Sequence, residues 1–577
     1  MDVISMEQQA GGPQGSWLSN VKSGFMVFLI ALPLCLGIAK ASECPPIAGV
    51  YTAIAGGIIA TLLSNSQLTI KGPAAGLIVI VMGCVLQFRE QLETQGVADA
   101  GLEAYRMMLA VCVVSGVIQI LLGIFKSGVL GEFFPSSAVH GLLASIGVII
   151  MAKQLPVALG VPAAILKDEH NHPLEPLPLI LKLPTALLQF NPNIAVIGVV
   201  GLLIMFGLPK FLPKIPKLVP SQLIVLVVGV LLATYVLHVP APGTENYHYS
   251  LFGRDYELSA KSHLVEVPTN VPEEVKTRGL GLAQASFLPN FSVLKTGAAW
   301  KWIALFSIIG SLESLLSSKA VDMLDPLKRK TDLNRDLLAV GVANTVVAFF
   351  GGIPMISEIV RSRANIDNGA RSKFSNLFHG IFLLLAVVSI PAVLNRIPLA
   401  ALASMLIFTG FRLAHPREFM HVYHIGREQF VVFVSTIIGV LATDLLVGIM
   451  IGIAVKLGIH FINGVPVSSI FRPFLNIEQV DETTYRITAS KSAIFSNWLL
   501  FRRQIYLYGL TENKNIIVDL SETQLVDHTF LEKLHELQGD FADKKLSLTI
   551  VGLENHMALT SHPESTRVRS ISRKAGA

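Results

Sequence analysis

Two short, broken hydrophobic stretches carry the residues whose types and spacing could bind an anion. One covers residues 351–365 and contains Gly-Gly-Ile-Pro-Met-Ile-Ser, and the other covers residues 67–76 and contains Lys-Gly-Pro-Ala-Ala-Gly. Each places a proline beside small or extended residues, in a region that is otherwise typical of membrane-spanning helix. Irregular backbone survives at that depth only where it lines a protein cavity, because lipid cannot hydrogen-bond its N–H and C=O groups. The sequence therefore predicts two half-helices that meet in the middle of a membrane.

The chemistry expected of such a pair is anion binding. Pro73 and Pro354 suit the first turn of a half-helix, whose leading amides have no intrahelical partner. Free amides at the positive end of a helix dipole attract an anion, and matched interruptions in two halves of a membrane protein indicate a transporter's binding site. The alternative interpretation is a pair of proline kinks in ordinary packed helices. The candidate anion-binding residues are Gly72, Pro73, Ala74, Ala75, Pro354, Met355, Ile356, Ser357 and Arg361.

Arg361 is included because a guanidinium can hold an oxyanion with two hydrogen bonds. The alternative is an ordinary cytoplasmic basic residue. Two further charged residues, Glu358 and Lys71, stand in or beside the broken stretches. They could pair with each other across the two half-helices, or they could point to solvent at opposite ends.

Glu313 is the only acid in the interior of the apolar stretch 300–323. An ionisable residue at that depth marks an ion or proton pathway by default. Beside an anion site its negative charge opposes the substrate unless Na+ or H+ accompanies it, which predicts coupled movement. The alternative is a glutamate that hydrogen-bonds a neighbouring helix.

The composition shows which class of protein positions these residues. The chain has 577 residues, of which 52% are hydrophobic and 15% charged, and its mean hydropathy is +0.59. These values exclude an ordinary soluble protein and indicate a polytopic membrane protein. The four cysteines lie in or beside apolar runs without metal-ligand spacing, so we interpret them as small core residues.

Apolar runs of about 20 residues, with somewhat shorter cores accepted, give about fourteen spans in two groups of seven. The half-spans, 73–88 and 354–360, are third in each group. An odd number of spans inverts the second group relative to the first, as in many secondary transporters. Lys and Arg of the short loops fall mainly on the side of the N-terminus, which is therefore predicted to be cytoplasmic.

The long segments 153–193 and 239–299 are predicted to be surface loops without a core of their own. Their histidines match no usual ligand spacing, so no metal site is predicted there. These residues are His170, His172, His248 and His263.

The chain is predicted to divide into a cytoplasmic segment (1–20), a transmembrane domain (21–463), a small α/β domain (464–553) and a basic flexible tail (554–577). In the α/β domain, strands are expected at 485–489, 516–520 and 546–551, with an amphipathic helix at 531–542. A strand–helix–strand order with short connections implies a parallel pair.

The sequence resembles a known family, the SulP anion permeases, over nearly the whole chain. The motifs that carry the resemblance are Lys-Ala-Val-Asp at 319–322, Thr-Asp-Leu-Asn-Arg-Asp at 331–336, Gly-Gly-Ile-Pro at 351–354, Ile-Val-Arg-Ser at 359–362 and Thr-Asp-Leu-Leu-Val-Gly at 443–448. The C-terminal part resembles the STAS domain that follows the permease in this family, through Asn-Ile-Ile-Val-Asp-Leu-Ser at 515–521 and Leu-Val-Asp at 525–527.

The resemblance implies an α-helical membrane protein with a 7+7 inverted repeat, two half-helices and a cytoplasmic STAS domain. It implies that an anion sits between the third and tenth spans, where Arg361 occupies a position that is commonly basic. In sodium-coupled bicarbonate members, a carboxylate and a hydroxyl one turn later serve the cation, and Glu313 and Ser317 match that spacing. Where regulatory relatives carry a phosphorylatable serine in the STAS domain, this chain has His528, so a docking or stabilising role for the domain is expected instead.

The function predicted is secondary active transport of a small inorganic anion, with bicarbonate preferred to sulfate and with Na+ or H+ as the coupling ion. An exchanger of the same fold, an anion channel and a membrane-anchored STAS sensor are the alternatives. The expected setting is a homodimer in a cell inner (plasma) membrane, in contact with lipid and not with nucleic acid. No cofactor is expected beyond possible Na+. No enzyme activity is expected either, since no nucleophile–base pair or phosphate-binding loop is found.

Overall fold

The computed structural model describes residues 13–167, 174–215, 219–241, 244–251, 253–265, 288–389 and 394–569. The chain divides into two compact units. The first comprises Met1–Gly128 with Ile146–Arg412, and the second comprises Val129–Ser145 with Leu413–Ala577. The division therefore does not follow the predicted domain boundary at residue 463, because the second unit includes helices that precede it.

The helices and strands up to residue 413 are, in chain order, α1 (Pro13–Ala41), α2 (Pro46–Leu63), β1 (Ile70–Pro73), α3 (Ala75–Thr94), α4 (Ala100–Ile124), α5 (Ser136–Ala158), α6 (Pro176–Ala186), α7 (Pro192–Phe211), α8 (Ser221–Val236), β2 (Tyr247–Leu251), β3 (Arg254–Leu258), α9 (Gly297–Leu324), α10 (Leu333–Phe349), β4 (Met355–Glu358), α11 (Ile359–Asp367), α12 (Phe374–Ser389) and α13 (Leu399–Leu413).

The elements that follow are α14 (Pro416–Ile425), α15 (Arg427–Ala442), α16 (Leu445–Ile462), β5 (Leu475–Asp481), β6 (Thr484–Ala489), β7 (Ser492–Ala493), α17 (Trp498–Ile505), β8 (Asn515–Asp519), β9 (Leu525–Val526), α18 (His528–Asp543), β10 (Leu548–Val551), β11 (His556–Ala558) and β12 (Arg567–Arg569).

Each predicted full span coincides with a helix over its described residues, whereas the half-span 354–360 is mostly the strand β4, with helix only from Ile359. Within the described ranges, nine helical runs are long and apolar enough to cross a membrane. Local sequence explains where several of them begin. Asn191, Thr296, Asp332 and Asp444 each precede a helix and accept hydrogen bonds from backbone N–H groups of its first turn.

The two long loops are more ordered than predicted. The segment 239–299 contains the antiparallel hairpin β2–β3, and Leu258 and Leu264 are buried in one cluster with residues of α1 and α13. His170 and His172 lie outside the described residues. His248 is exposed on β2, and the ring Nδ1 of His263 lies 3.0 Å from the carbonyl oxygen of Ser259.

In the second unit, the C-terminal α/β domain has a four-stranded sheet in the order β10–β8–β6–β5. The pairings β6–β8 and β8–β10 are parallel, which confirms the predicted parallel pair, and β5 joins antiparallel to β6. The sheet packs on α17 and α18 around Trp498, Phe501, Phe530 and Phe541. Strand β5 and helix α17 were not predicted.

The predicted flexible tail is wrong over its described part. Residues 556–558 and 567–569 form β11 and β12, and β12 also pairs with β9. Ser565 and Thr566 are buried. The tail is polar in composition, but its backbone groups are hydrogen-bonded in a small sheet, which a polar sequence can form as well as an apolar one. Residues 570–577 lie outside the described part of the chain.

Candidate functional site

The two broken stretches meet as a pair of short strands. β1 and β4 are antiparallel, and the register places Lys71 opposite Ser357, Gly72 opposite Ile356 and Pro73 opposite Met355. Pairing supplies hydrogen bonds to backbone that would otherwise face lipid unsatisfied. Most of the candidate site residues therefore lie in or next to one strand pair, all of them buried except the half-buried Ala75: Gly72, Pro73, Ala74, Ala75, Pro354, Met355, Ile356 and Ser357.

The predicted place of the two prolines is wrong. Pro73 is the last residue of β1, and Pro354 precedes β4, so neither lies in a first helical turn. Helical structure begins at Ala75 in one stretch and at Ile359 in the other. A proline is tolerated at a strand end for the same reason as in a first helical turn, since no N–H is required of it there. Local sequence alone does not separate the two cases.

Buried amide side chains complete the hydrogen bonding of β4. Asn344 on α10 accepts a hydrogen bond from the Met355 N–H at 2.7 Å and donates to the Met355 carbonyl at 3.1 Å. Asn344 is itself held by Gln119 on α4, 2.9 Å away. Neither residue was predicted from the sequence. The available signal was an uncharged amide within each of two predicted spans, which is costly in lipid unless it has a partner.

A buried ion pair lies beside the strand pair. The Nζ of Lys71 is 2.8 Å from Oδ1 of Asp336 on α10, and both side chains are at most 2% exposed. Lys71 therefore pairs neither with Glu358 nor with solvent, contrary to both predicted options. Asp336 was missed because it follows Asp332 and Arg335 at the start of a span, where charged residues are usually loop residues.

Arg361 lies in the interior, at 1% exposure, and is not a surface cation. Its Nε is 2.9 Å from Oε2 of Glu358. Its two terminal nitrogens lie 3.0 Å from the carbonyl oxygen of Pro73 and 3.3 Å from the sulfur of Cys35. A Cβ on Gly72 would stand 2.8 Å from Nη1 of Arg361 and 3.2 Å from Oε1 of Glu358. Glycine at position 72 is thus what allows this ion pair to lie against β1.

Glu313 on α9 lies against the opening turn of α3. A Cβ on Gly76 would overlap both oxygens of its carboxylate. The Oε2 atom of Glu313 is buried and has no hydrogen-bond partner among the described residues. Ser317, one turn later on α9, is half-buried. The neighbouring Ser318 is fully buried and donates to Asp336 Oδ2 at 2.6 Å.

The described charges at the strand pair are therefore balanced except for one. Lys71 faces Asp336, and Arg361 faces Glu358. Glu313 has no basic partner among the described ion pairs and lies at the start of a half-helix, where free amides and the helix dipole favour negative charge. Over the described residues there is no group of three or more His, Cys, Asp or Glu side chains arranged to hold a metal ion.

In the α/β domain, His528 opens α18 directly after its capping residue Asp527. The His528 ring Nδ1 is 2.9 Å from the carbonyl oxygen of Glu564, and its backbone N–H donates to Thr566 Oγ1 at 3.3 Å. The imidazole is buried. The next residue, Thr529, is also buried and accepts a hydrogen bond from the N–H of Ser136.

Comparison with known proteins gives a consistent result. A model of the Sulfate permease family matches residues 18–436. The chain is 26% identical to the putative sulfate transporter YvdB of Bacillus subtilis over 431 residues, covering 75% of this chain and 71% of the relative. It is 23% identical to the bicarbonate transporter BicA of Picosynechococcus over 439 residues, covering 76% and 69%.

Two solved structures are similar in fold. The transmembrane domain of a cyanobacterial bicarbonate transporter BicA matches with a TM-score of 0.59 and 20% identity, over 76% of this chain and 97% of that chain. The overall structure of SLC26A9 matches with a TM-score of 0.61 and 16% identity, over 95% and 86%. The predicted fold is confirmed: about fourteen transmembrane segments in a 7+7 inverted repeat with two half-helices, followed by a small α/β STAS domain.

Proposed function

Because this chain belongs to the sulfate permease family, we propose that it is a secondary active transporter of a small inorganic anion, coupled to Na+ or H+. The observation that carries the proposal is the setting of Glu313. Its carboxylate lies against Gly76 at the start of a half-helix, and one of its oxygens is buried without a hydrogen-bond partner among the described residues. A buried carboxylate without partners is costly to keep, and in a membrane protein it marks an ion or proton pathway.

The anion site proposed is the strand pair and the two helix starts beside it. Strands β1 and β4 are each followed by helix, at Ala75 and Ile359. The leading N–H groups of these helices can receive an anion. Arg361 adds a positive charge, and its contact with the Pro73 carbonyl ties it to β1. Glu358 is its partner in this structure, so an anion that binds Arg361 competes with Glu358.

Coupling follows from the charges. With Lys71–Asp336 and Arg361–Glu358 each neutral, an ionised Glu313 and a bound anion would place two uncompensated negative charges in one low-dielectric site. Like charges in such a site repel strongly. A cation that arrives with the anion removes that repulsion, whether as H+ on Glu313 or as Na+ held by Glu313 and Ser317. This is the physical reason for preferring a coupled transporter to a channel.

Bicarbonate is the preferred substrate and sulfate the second candidate. The preference rests on Glu313 and Ser317, which have the spacing of the cation site of sodium-coupled bicarbonate members. The relatives' names do not separate the two, since one is a bicarbonate transporter and another a putative sulfate transporter. An exchanger, a channel and a STAS-domain sensor remain the alternatives. We also propose a homodimer in the plasma or inner membrane, with the N-terminus and the STAS domain cytoplasmic.

The test is uptake of labelled bicarbonate and labelled sulfate into proteoliposomes, at mildly alkaline pH, with and without a Na+ or proton gradient. The native chain is compared with Glu313→Gln and with Glu93→Gln, a matched control because Glu93 is exposed at the far end of α3. We expect one anion to be driven by one gradient, Glu313→Gln to lose that drive and Glu93→Gln to keep it. Uptake that ignores both gradients and survives Glu313→Gln would instead favour an exchanger or a channel.

A further inference from the structure

We infer that Asp336 is a positioning residue of the anion site, which fixes the register of β1 against β4 and thereby sets the affinity for the anion. That Asp336 fixes the register is inferred from its contacts. That the register sets the affinity for the anion rests on the proposed function. Asp336 contacts the strand pair through Lys71 and Ser357, and it is not offered as a ligand of the anion.

Asp336 gathers partners from four separate parts of the chain. Its Oδ1 accepts from Ser64, just after α2, at 2.5 Å and faces Lys71 of β1 at 2.8 Å. Its Oδ2 accepts from Ser318 of α9 at 2.6 Å and from Ser357 of β4 at 3.0 Å. A carboxylate has about four acceptor positions. All of them are occupied, at a side chain that is 1% exposed.

Two of these partners are directly opposite each other in the strand pair. Lys71 and Ser357 are register partners, so a single carboxylate holds one residue of each strand at the same rung. A slip of one residue would turn Lys71 to the other face of β1 and remove it from Asp336, because side chains alternate along a strand. Only the observed register lets Asp336 contact both Lys71 and Ser357.

Asp336 acts together with other contacts of the strands, since Asn344 binds the backbone groups of Met355 and Ser362 accepts from the Ile70 N–H. The strands themselves contribute little to their own register. Each is four residues long, and Pro73 has no N–H to donate. Short and Gly-rich strands are prone to slippage. The register also determines where the Pro73 carbonyl meets Arg361 and where Gly72 leaves room for the Arg361–Glu358 pair. The geometry of the proposed anion site therefore follows from the contacts of Asp336.

The experiment compares Asp336→Asn with Asp332→Asn and with the exchanged pair Lys71→Asp/Asp336→Lys. Asp332 receives the same substitution one turn earlier on the same helix, where it is exposed and caps α10, a role that asparagine fills equally well. Two quantities are measured on the full chain: hydrogen exchange of the peptides that contain residues 70–73 and 355–358, and KM and kcat for uptake of the transported anion.

For Asp336→Asn we expect exchange in both peptides to rise at least tenfold, and KM to rise about tenfold with a smaller change in kcat. The residual uptake should keep its dependence on the cation gradient. Asp332→Asn should match the native chain. The double variant Lys71→Asp/Asp336→Lys should restore slow hydrogen exchange and part of the affinity for the anion, because the two swapped side chains can form the same ion pair.

Unchanged exchange and KM in Asp336→Asn would overturn the inference. So would an equal loss of kcat at unchanged KM, which would indicate a role in the transport motion. If Asp336→Asn fails to fold, the double variant Lys71→Asp/Asp336→Lys decides the question. Fast hydrogen exchange in the folded double variant would show that this ion pair does not fix the register. If the native chain moves neither anion, the proposed function fails, while hydrogen exchange still decides whether Asp336 fixes the register.

Discussion

Two acids flank the strand pair, the fully buried Asp336 and the half-buried Glu313, and their surroundings are opposite. Asp336 has both oxygens filled by one ammonium and three hydroxyl groups. Glu313 lies against a glycine and leaves one buried oxygen without a partner among the described residues. A buried charge that is fully paired stabilises one arrangement of the chain. An unpaired charge inside a membrane protein is costly and by default marks the pathway of an ion or proton. Glu358 also has a buried oxygen without a hydrogen bond among the described residues, but it pairs with Arg361. The comparison therefore shows that burial alone does not separate Asp336 from the proposed coupling acid Glu313, whereas the described charge partners do.

The largest effect is expected from closing the space in front of Glu313. In Gly76→Ala, the new Cβ would overlap the Glu313 carboxylate and push it away from the start of α3. We expect gradient-driven uptake to fall about 100-fold, since a displacement of about 1 Å at a reacting site costs that much. Gly101→Ala is the control, because a Cβ there meets nothing within 4 Å. Native uptake by Gly76→Ala would show that the position of Glu313 is unimportant.

A smaller effect, on stability, is expected on the Asp336 side. Ser318→Ala removes a 2.6 Å hydrogen bond to a buried carboxylate and leaves one acceptor position empty. The expected loss is about 1.5–3 kcal/mol, as is usual for a hydrogen bond to a charged group. Thermal unfolding of the detergent-solubilised protein measures it. A Tm equal to that of the native chain would mean that Asp336 is less tightly held than its contacts indicate.

The adjacent Ser317 should give the complementary result. The described hydrogen bond from this part of α9 to Asp336 comes from Ser318 and not from Ser317, so the stability of Ser317→Ala should stay within about 0.5 kcal/mol of native. If Na+ is the coupling ion, the Na+ concentration for half-maximal uptake should rise several-fold, because one oxygen ligand is lost. A loss of stability together with unchanged Na+ dependence would place Ser317 with the structural residues and would favour H+ on Glu313 alone.

The smallest effect is expected in the C-terminal segment 554–569, where a buried hydroxyl group accepts two hydrogen bonds. Thr566 is buried, and its Oγ1 accepts from Gln429 Nε2 at 3.1 Å and from the His528 N–H at 3.3 Å. Thr566→Val removes this acceptor and should cost about 1 kcal/mol. Thr549→Val on the exposed face of β10 is the control, since valine is equally suited to a strand. Equal Tm values for the two variants would indicate that the segment 554–569 is flexible, as the sequence predicted.

The sequence was sufficient for the features that depend on local composition. The spans follow from apolar length, since a bilayer sets how many residues a helix needs. The two interruptions follow from proline and glycine within such spans, and they identified the residues that meet at β1 and β4. Arg361 and Glu313 stood out because charge is rare inside a span.

Features that depend on distant partners were missed. A four-residue strand such as β1 has no periodicity to detect, and its partner is far away in the sequence. Asp336 looked like one of several charges at a span boundary, and only its position beside Lys71 distinguishes it. The segment that contains β11 and β12 is polar overall, so composition predicted flexibility where β12 in fact pairs with both β11 and β9.

The strand pair also has a consequence for how the chain is made. The hydrogen bond from Arg361 to the Pro73 carbonyl joins residues that are 288 positions apart. A ribosome that has completed β1 must still synthesise most of the membrane domain before β4 and Asp336 emerge. Until then, β1 has no strand partner, and Lys71 sits in a hydrophobic segment without its counter-charge. The proposed site therefore forms only after residue 361 has been synthesised, late in the synthesis of the first unit, and until then the first half-helix lacks these partners.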